Sequence, residues 1–504
     1  MREYTISEIA QGELPPQRDL IAGVWHEPAL LRDVEGTSQW IEHASTGAAV
    51  QQQRCSSPEQ VEAALAAAWE LHTSGLWQDT SAEDRADVCD ALADSLEAQV
   101  PMVAALESAT SGAVLGVTTM FGFILHGAFR LAAMQLRAGV LSSRFEGPGG
   151  PEAGAVVEVD RLGWGPALLL CPWNAPAPMA AHKAASALAA GCPVIIKPPE
   201  RAPHGSESIG IAAVAAGLPA GLVQILHGGP EVVGPLMADR RVRAVSFTGG
   251  AVGGRAVAHA CAEGLKPAQL ELGGHSPLVI LDDADPAVVA EAVVGLLTLI
   301  NGQWCRALGR LILPAARSEE YLAAITAALS ELRLGDPLDP STAMGPMVHS
   351  AHRAQLQGII EAAVASGATA IAPTPLPATP GNWLAPTLLD GLDPSDTREE
   401  MFGPVAAVHR YETEAQALQL ANGTDYGLEA YVVGAAAERA MVFGRQIRAG
   451  GVKINGVSPI SLNMMAPRPA FGISGLAEEG TVETIAFFGG NRVVGVEDSL
   501  GKKY

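Results

Sequence analysis

Between residues 165 and 281 the chain repeats one unit: a short apolar run (167–171, 194–197, 222–226, 244–247 and 277–281), each followed by a stretch of helical character. Strands that alternate with helices in this way predict a parallel, doubly wound α/β sheet, because each crossover helix covers a face the strands leave apolar. Such a sheet binds nucleotides at the carboxyl ends of its strands. At 504 residues the chain is too long for one simple core, so two sizeable domains plus extensions are expected. After Cys305 the alternation resumes: a strand at 309–313, helices at 318–332 and 349–366, then further units at 431–433, 438–447 and 452–455. The Pro-rich stretch 373–380 reads as a surface loop.

Ahead of the first strong strand the pattern is helical. Residues up to about 53 offer turns and short extended pieces (20–25, 40–41), expected to wrap a domain surface. Ser57-Pro58-Glu59-Gln60 then starts a helix, with Ser57 as N-cap, Pro58 in the first turn and Gln60 able to reach back. Val61, Leu65, Ala68 and Leu71 supply its apolar face. Ser81 starts a second helix, with Val88, Leu92 and Leu96 on one side, and a third spans 117–136. At 145–161 a Gly-Pro-Gly-Gly turn leads into a strand at 155–159 that no helix covers. An unpaired edge invites another chain, so this segment reads either as an oligomerisation arm or as an ordinary edge hairpin.

Charge narrows the partners. Asp plus Glu number 54 against 32 Lys plus Arg, a formal net charge of −22, which repels nucleic acid and anionic membrane. The six cysteines show no CxxC or Cys/His metal spacing and read as reduced thiols, with no metal site expected. The first residues carry no apolar signal core, and no stretch reaches about 18 continuous apolar residues, so a cytoplasmic location is expected.

Four stretches carry chemistry. Cys305, in Asn301-Gly302-Gln303-Trp304-Cys305-Arg306, follows the apolar segment 287–300, which predicts a buried helix delivering the thiol to the base of a cleft. That thiol needs something to favour its thiolate, the attacking species. Glu271, between Leu270 and Leu272 and followed by two glycines, is a candidate general base, because partial burial lifts a carboxyl pKa towards neutrality. Asn174, in Pro172-Trp173-Asn174-Ala175-Pro176, can donate to an oxyanion from a rigid turn. Glu400 and Phe402 offer a ribose contact and a ring wall. Taken singly, each has a plainer reading as a packed thiol, a strand-edge acid or a core aromatic.

In chain order these stretches read CPWNAP, VIIKPPE, SFTGGAVGGR, LELGGHSP, NGQWC and EEMFGPV, and over nearly the whole length the chain resembles the NAD(P)-dependent aldehyde dehydrogenase superfamily. The resemblance implies a Rossmann-type cofactor domain (1–139 and 162–272), a second α/β catalytic domain (273–484) and a β-strand oligomerisation arm with tail (140–161 and 485–504). It implies a homodimer or homotetramer, an aldehyde substrate and NAD as cofactor, with NADP possible. Lys197 and Glu200 then hold the adenosine ribose, and Glu200 leans the choice towards NAD by repelling a 2′-phosphate. Phe247, Thr248, Gly249, Gly250 and Gly254 bring backbone and a helix N-terminus to the pyrophosphate, and Pro172, Trp173, Leu272, Glu400 and Phe402 complete the cofactor set. Gly250 stands where a serine is common, which puts cofactor affinity in question.

Under this resemblance Cys305 attacks the aldehyde, Asn174 and the Cys305 N–H hold the oxyanion, and Glu271 activates the water that hydrolyses the thioester. Two rivals are a CoA-acylating relative, against which Glu271 argues, and a non-catalytic protein of the same fold. Ala175, Met179, His182, Trp304 and Arg306 suggest a wide, polar substrate pocket suited to a bulky or hydroxylated aldehyde, unless Arg306 turns away into a salt bridge. The segment Pro467-Arg468-Pro469-Ala470-Phe471-Gly472-Ile473-Ser474-Gly475 departs from the family's usual PFGG and lysine, and Glu478 stands where an arginine is common.

Overall fold

Ser57 accepts the Gln60 N–H while Gln60 reaches back to the Ser57 N–H, and this capping box opens the helix Pro58–Ser74. Val61, Leu65, Ala68 and Leu71 all face the core. The computed structural model describes residues 4–33, 39–146 and 156–496. Ser81 caps the long helix Ala82–Ser111, which packs along Leu115–Arg137. The latter is long and apolar enough to cross a membrane by length and composition. Here its Leu125, Phe129, Ala132 and Leu136, at helical spacing, are buried in the protein's own core instead.

One eight-stranded sheet runs in the order Val24–His26, Asp19–Ile21, Val223–Ile225, Val194–Lys197, Ala167–Leu170, Ala244–Thr248, Ala268–Glu271 and Gly475–Leu476. Its five inner strands are parallel and the flanking pieces antiparallel. The chain moves outward in one direction from Ala167–Leu170 and then returns beside it with Ala244–Thr248. Strand order therefore reverses between those two, and a crevice opens beyond their carboxyl ends. Two expectations are corrected here. The hairpin at 19–26 does not merely wrap the surface: Leu20, 1% exposed, pairs with Ile225 as part of the sheet. The strand expected at 277–281 lies in the other sheet, because Gly273-Gly274 breaks the element after Ala268–Glu271 and sends the chain across.

The second sheet has seven strands, in the order Thr369–Ile371, Thr387–Asp390, Val405–Tyr411, Leu308–Pro314, Ser276–Ile280, Glu429–Val433 and Gly451–Ile454; only the first is antiparallel to its neighbour. A third, three-stranded sheet joins Ser142–Phe145, Val157–Gly163 and Gly489–Gly495. It leaves Phe145, Val493 and Val494 exposed. The Gly-Pro-Gly-Gly turn at 147–150, the start of the strand expected at 155–159 and the tail 497–504 lie outside the described residues.

Candidate active site

The helix before the cysteine is Pro286–Thr298, begun by an Asp285 cap on the Ala287 N–H. It ends two residues short of the expected 300, where Ile300 and Asn301 both adopt left-handed backbone, φ 46° and 57°. Asn301 makes this turn affordable: its Nδ2 donates to the carbonyls of Gly112 (2.7 Å) and Pro346 (2.8 Å), and its Oδ1 accepts the Gly345 N–H at 2.9 Å. Gln303 Oε1 accepts the Val348 N–H at 2.9 Å. Gly302, at φ 69°, passes so close to Gly403 and Pro404 that a Cβ would lie 2.5 Å from the Gly403 carbonyl carbon. The loop leading to Cys305 is thereby packed against the turn that carries Glu400 and Phe402.

Cys305 is partly exposed; the other five cysteines are buried. Its surroundings do not favour a resting thiolate, contrary to the sequence requirement. Burial pushes the thiol up to about 12, and the charges of Glu400, Glu271 and Glu479 push the same way, while Arg306 opposes them.

Glu271 ends the strand Ala268–Glu271, paired with Thr248 on one side and Gly475 on the other. It is 6% exposed, and its Oε1 has no hydrogen-bond partner, which leaves that oxygen free to take a proton. Burial first, and then the nearby Glu479 carboxylate, raise it to about 8. Asn174 Nδ2 donates one hydrogen to the Gln303 carbonyl at 2.8 Å. An amide nitrogen carries two, so that bond leaves the second hydrogen unused. The helix that follows, Pro176–Ala190, has no cap of its own; the fully buried Glu107 supplies one, accepting the Ala177 N–H at 2.7 Å.

The remaining predicted residues gather at the switch point. Trp173 meets the Phe402 ring edge-on at 5.3 Å and the His352 ring at 5.5 Å. Phe402 itself is left-handed (φ 52°), and its carbonyl accepts from His352 Nε2 at 3.0 Å. Glu400 accepts the Gly274 N–H at 2.9 Å, and burial lifts its carboxyl to about 7. Lys197 Nζ lies 3.4 Å from Glu200 at the end of its strand, and Pro172 follows the neighbouring strand end.

Those residues fit a dinucleotide. The helix Ala251–Glu263 begins at Gly250 with no side-chain cap and open space around Gly250, so its first N–H groups are available to an anion. Thr248 Oγ1 is buried and unpartnered at the same edge. Gly249 and Gly253 lie against the Phe247 ring, and Leu272 fills the space a Cβ on Gly254 would need, which seats the helix tightly on the sheet.

A family profile described as "Aldehyde dehydrogenase family" matches residues 31–494. The chain belongs to the aldehyde dehydrogenase family. This aldehyde dehydrogenase is 32% identical over 433 residues to geranial dehydrogenase of Castellaniella defragrans, covering 85% of this chain and 89% of the relative. It is 33% identical over 457 residues to betaine aldehyde dehydrogenase of Cereibacter sphaeroides, covering 89% and 92%. Among solved structures it resembles Staphylococcus aureus betaine aldehyde dehydrogenase in complex with NAD+ (TM-score 0.89, 26% identity, 99% of each chain). It also resembles a Mycobacterium tuberculosis aldehyde dehydrogenase complexed with NAD+ (TM-score 0.88, 28% identity, 97% of this chain and 99% of the other). It is an NAD(P)-dependent oxidoreductase that converts an aldehyde to an acid, and the cysteine mechanism is typical of its family.

Several residues of this aldehyde dehydrogenase's site escaped sequence reasoning. Glu479 lies beside Glu271, paired with Arg468 at 3.4 Å and Lys183 at 3.9 Å, and these cations hold it well below the usual carboxylate range. Arg306 turns into a salt bridge with the buried Glu429, the second of the two alternatives open to it; Lys453 lies 3.9 Å from the same acid, and Tyr431 Oη donates to the Arg306 carbonyl at 2.9 Å. His182, expected to line a polar pocket, is buried. Burial lowers it to about 4, and its Nε2 accepts from Arg468 at 3.1 Å. An acid between leucines could be found by its neighbours in sequence, but Glu107, Glu429 and Glu479 sit in unremarkable local contexts.

Proposed function

We propose that Cys305 is the nucleophile, Glu271 the general base for acyl hydrolysis, and Asn174 with the Cys305 N–H the oxyanion donors. One observation carries this reading: a partly exposed cysteine shares its site with a buried carboxylate whose Oε1 has no partner. Attack by the sulfur on the aldehyde carbon places negative charge on its oxygen, and donors already in position are worth roughly 10²–10³ in rate each. Lys197, Glu200, Thr248, Gly249, Gly250, Gly254 and the Ala251–Glu263 helix N-terminus would hold the dinucleotide, with Glu400 and Phe402 at its nicotinamide end and Pro172, Trp173, Phe247 and Leu272 shaping the walls. Bound NAD+ supplies the acceptor for the hydride leaving the thiohemiacetal carbon. The remaining thioester on Cys305 is hydrolysed by water deprotonated at Glu271, releasing the acid and the thiol.

Glu200 favours NAD over NADP. The division into cofactor regions 1–139 and 162–272, a catalytic region 273–484 and an arm with tail at 140–161 and 485–504 is supported by the three sheets, except that Gly475–Leu476 pairs with the first sheet and Val157–Gly163 runs past 161. The exposed apolar residues of the small sheet suit a homodimer or homotetramer, and the acidic surface suits the cytoplasm. The test is NADH formation from an aldehyde panel with either cofactor and with or without CoA. Cys305→Ala is expected to abolish it, and CoA to leave acid as the product.

A further inference from the structure

Helix Ser350–Ala365 meets the site at its first turn. His349 caps it, with Nδ1 accepting the His352 N–H at 3.0 Å. His352 and Leu356, one turn apart on the same face, both reach the turn that carries Glu400 and Phe402. Leu356 fills the space beside Gly403, where an added Cβ would lie 2.5 Å from its Cδ1. His352, 9% exposed, donates from Nε2 to the Phe402 carbonyl at 3.0 Å. A carbonyl only accepts, so that ring nitrogen carries the proton.

The bond falls on a backbone that needs holding. Phe402 sits at φ 52°, a region that a bulky residue keeps only when its neighbours hold it there. The His352 ring also lies edge-on to Phe402 at 6.3 Å and to Trp173 at 5.5 Å, and Trp173 and Phe402 meet edge-on at 5.3 Å. These contacts form a circuit. Asn174, next to Trp173, donates to the Gln303 carbonyl, and Gln303 Oε1 accepts the Val348 N–H just ahead of the helix. His352 closes the circuit on Phe402. One ring of contacts thus takes in the loop leading to Cys305, the turn of Asn174 and the turn of Glu400 and Phe402.

We propose that His352 is a positioning residue for hydride transfer, holding the Phe402 ring in place as the wall of the nicotinamide site. This rests on the reading of Cys305 as nucleophile and of Phe402 as that wall. In the step concerned the C–H bond of the thiohemiacetal alkoxide breaks, its electron pair leaves as hydride to bound NAD+, and the thioester carbonyl forms. Such a transfer depends steeply on how the two reacting carbons face each other. Without the His352 donor, Phe402 relaxes out of its left-handed turn and its ring shifts.

The test is the rate constant of NADH formation in the first turnover, read by stopped-flow absorbance. Full-length enzyme saturated with NAD+ is mixed with an excess of an aldehyde that the wild type oxidises. Misfolded material lowers the amplitude and leaves this constant untouched. His352→Phe keeps a ring against Trp173 and loses the donor, so its constant is expected to fall by about tenfold, the worth of one hydrogen bond. His352→Gln retains an N–H donor and is expected to recover most of the loss. Affinity for AMP, which lacks the nicotinamide, is expected to be unchanged in both. A wild-type constant in His352→Phe, an equal loss in His352→Gln, or a matching loss of AMP affinity overturns the proposal. Phe402→Ala separates the proposal from the reading beneath it. If Phe402→Ala is slow and His352→Phe is not, the role of His352 alone falls; if Phe402→Ala keeps the wild-type constant, the wall itself falls.

Discussion

Glu271 and Glu479 are neighbouring buried carboxylates shifted in opposite directions: Arg468, His182 and Lys183 draw Glu479 well below the usual carboxylate range, while burial first and then the Glu479 charge push Glu271 up. The carboxyl proposed as general base is therefore under the influence of a second acid. Its folded pKa lies above the solution value, so the carboxylate form grows as pH rises, and the hydrolytic limb of kcat is expected to climb through about pH 8. Glu479→Gln removes a charge that raises Glu271, so the limb should move to lower pH; an unmoved limb in a pH–kcat profile refutes the coupling. Glu271→Gln is expected to release about one NADH per subunit in a burst and then stall as the thioester, readable by stopped-flow absorbance.

The buried Glu429 holds Arg306 and Lys453 together. Glu429→Gln leaves two cations without their acid, for which about 3–5 kcal/mol of stability is the usual loss. Arg306 is partly exposed, so the lower end is expected. A urea midpoint equal to that of wild type would contradict this account.

Glu107 caps the helix that follows Asn174 from a distant part of the chain. Replacing it by alanine orphans the Ala177 N–H, at a cost of about 1–3 kcal/mol. The turn carrying Asn174 should loosen with it, so kcat is expected to fall along with the melting temperature.

Glu200→Gln removes the carboxylate proposed to face the adenosine ribose and oppose a 2′-phosphate. The ratio of kcat/KM with NADP to that with NAD is expected to rise by about tenfold, the effect of about 1.4 kcal/mol. Equal ratios in variant and wild type would show that Glu200 does not face the ribose.

In the three-stranded sheet Phe145 is 60% and Val493 66% exposed, more apolar surface than an isolated edge should leave open. Phe145→Glu with Val493→Glu is expected to lower the sedimentation coefficient to that of a monomer. A monomeric wild type would return this sheet to an ordinary edge.

The sequence made legible what is local. Strand–helix alternation located the inner parallel strands of the first sheet but assigned 277–281 to it rather than to the second, and short motifs singled out Cys305, Glu271, Asn174 and Glu400 as candidates. The hairpin at 19–26 was misjudged because its burial comes from pairing with Val223–Ile225, some 200 residues away. Glu107, Glu429, Lys453 and Glu479 were missed for the same reason: their meaning lies in partners that only the folded chain supplies. The left-handed turn at Ile300 and Asn301 was hidden by an apolar run that continues past the true end of the helix.

Gly302 meets Gly403 and Pro404 with room for a hydrogen and nothing more. The loop leading to Cys305 and the turn after Phe402, the ring proposed to wall the nicotinamide, are consequently packed as one seam. Any change that makes Cys305 easier to alkylate by slackening its loop should weaken dinucleotide affinity in the same proportion, so the two properties will drift together across variants of this enzyme.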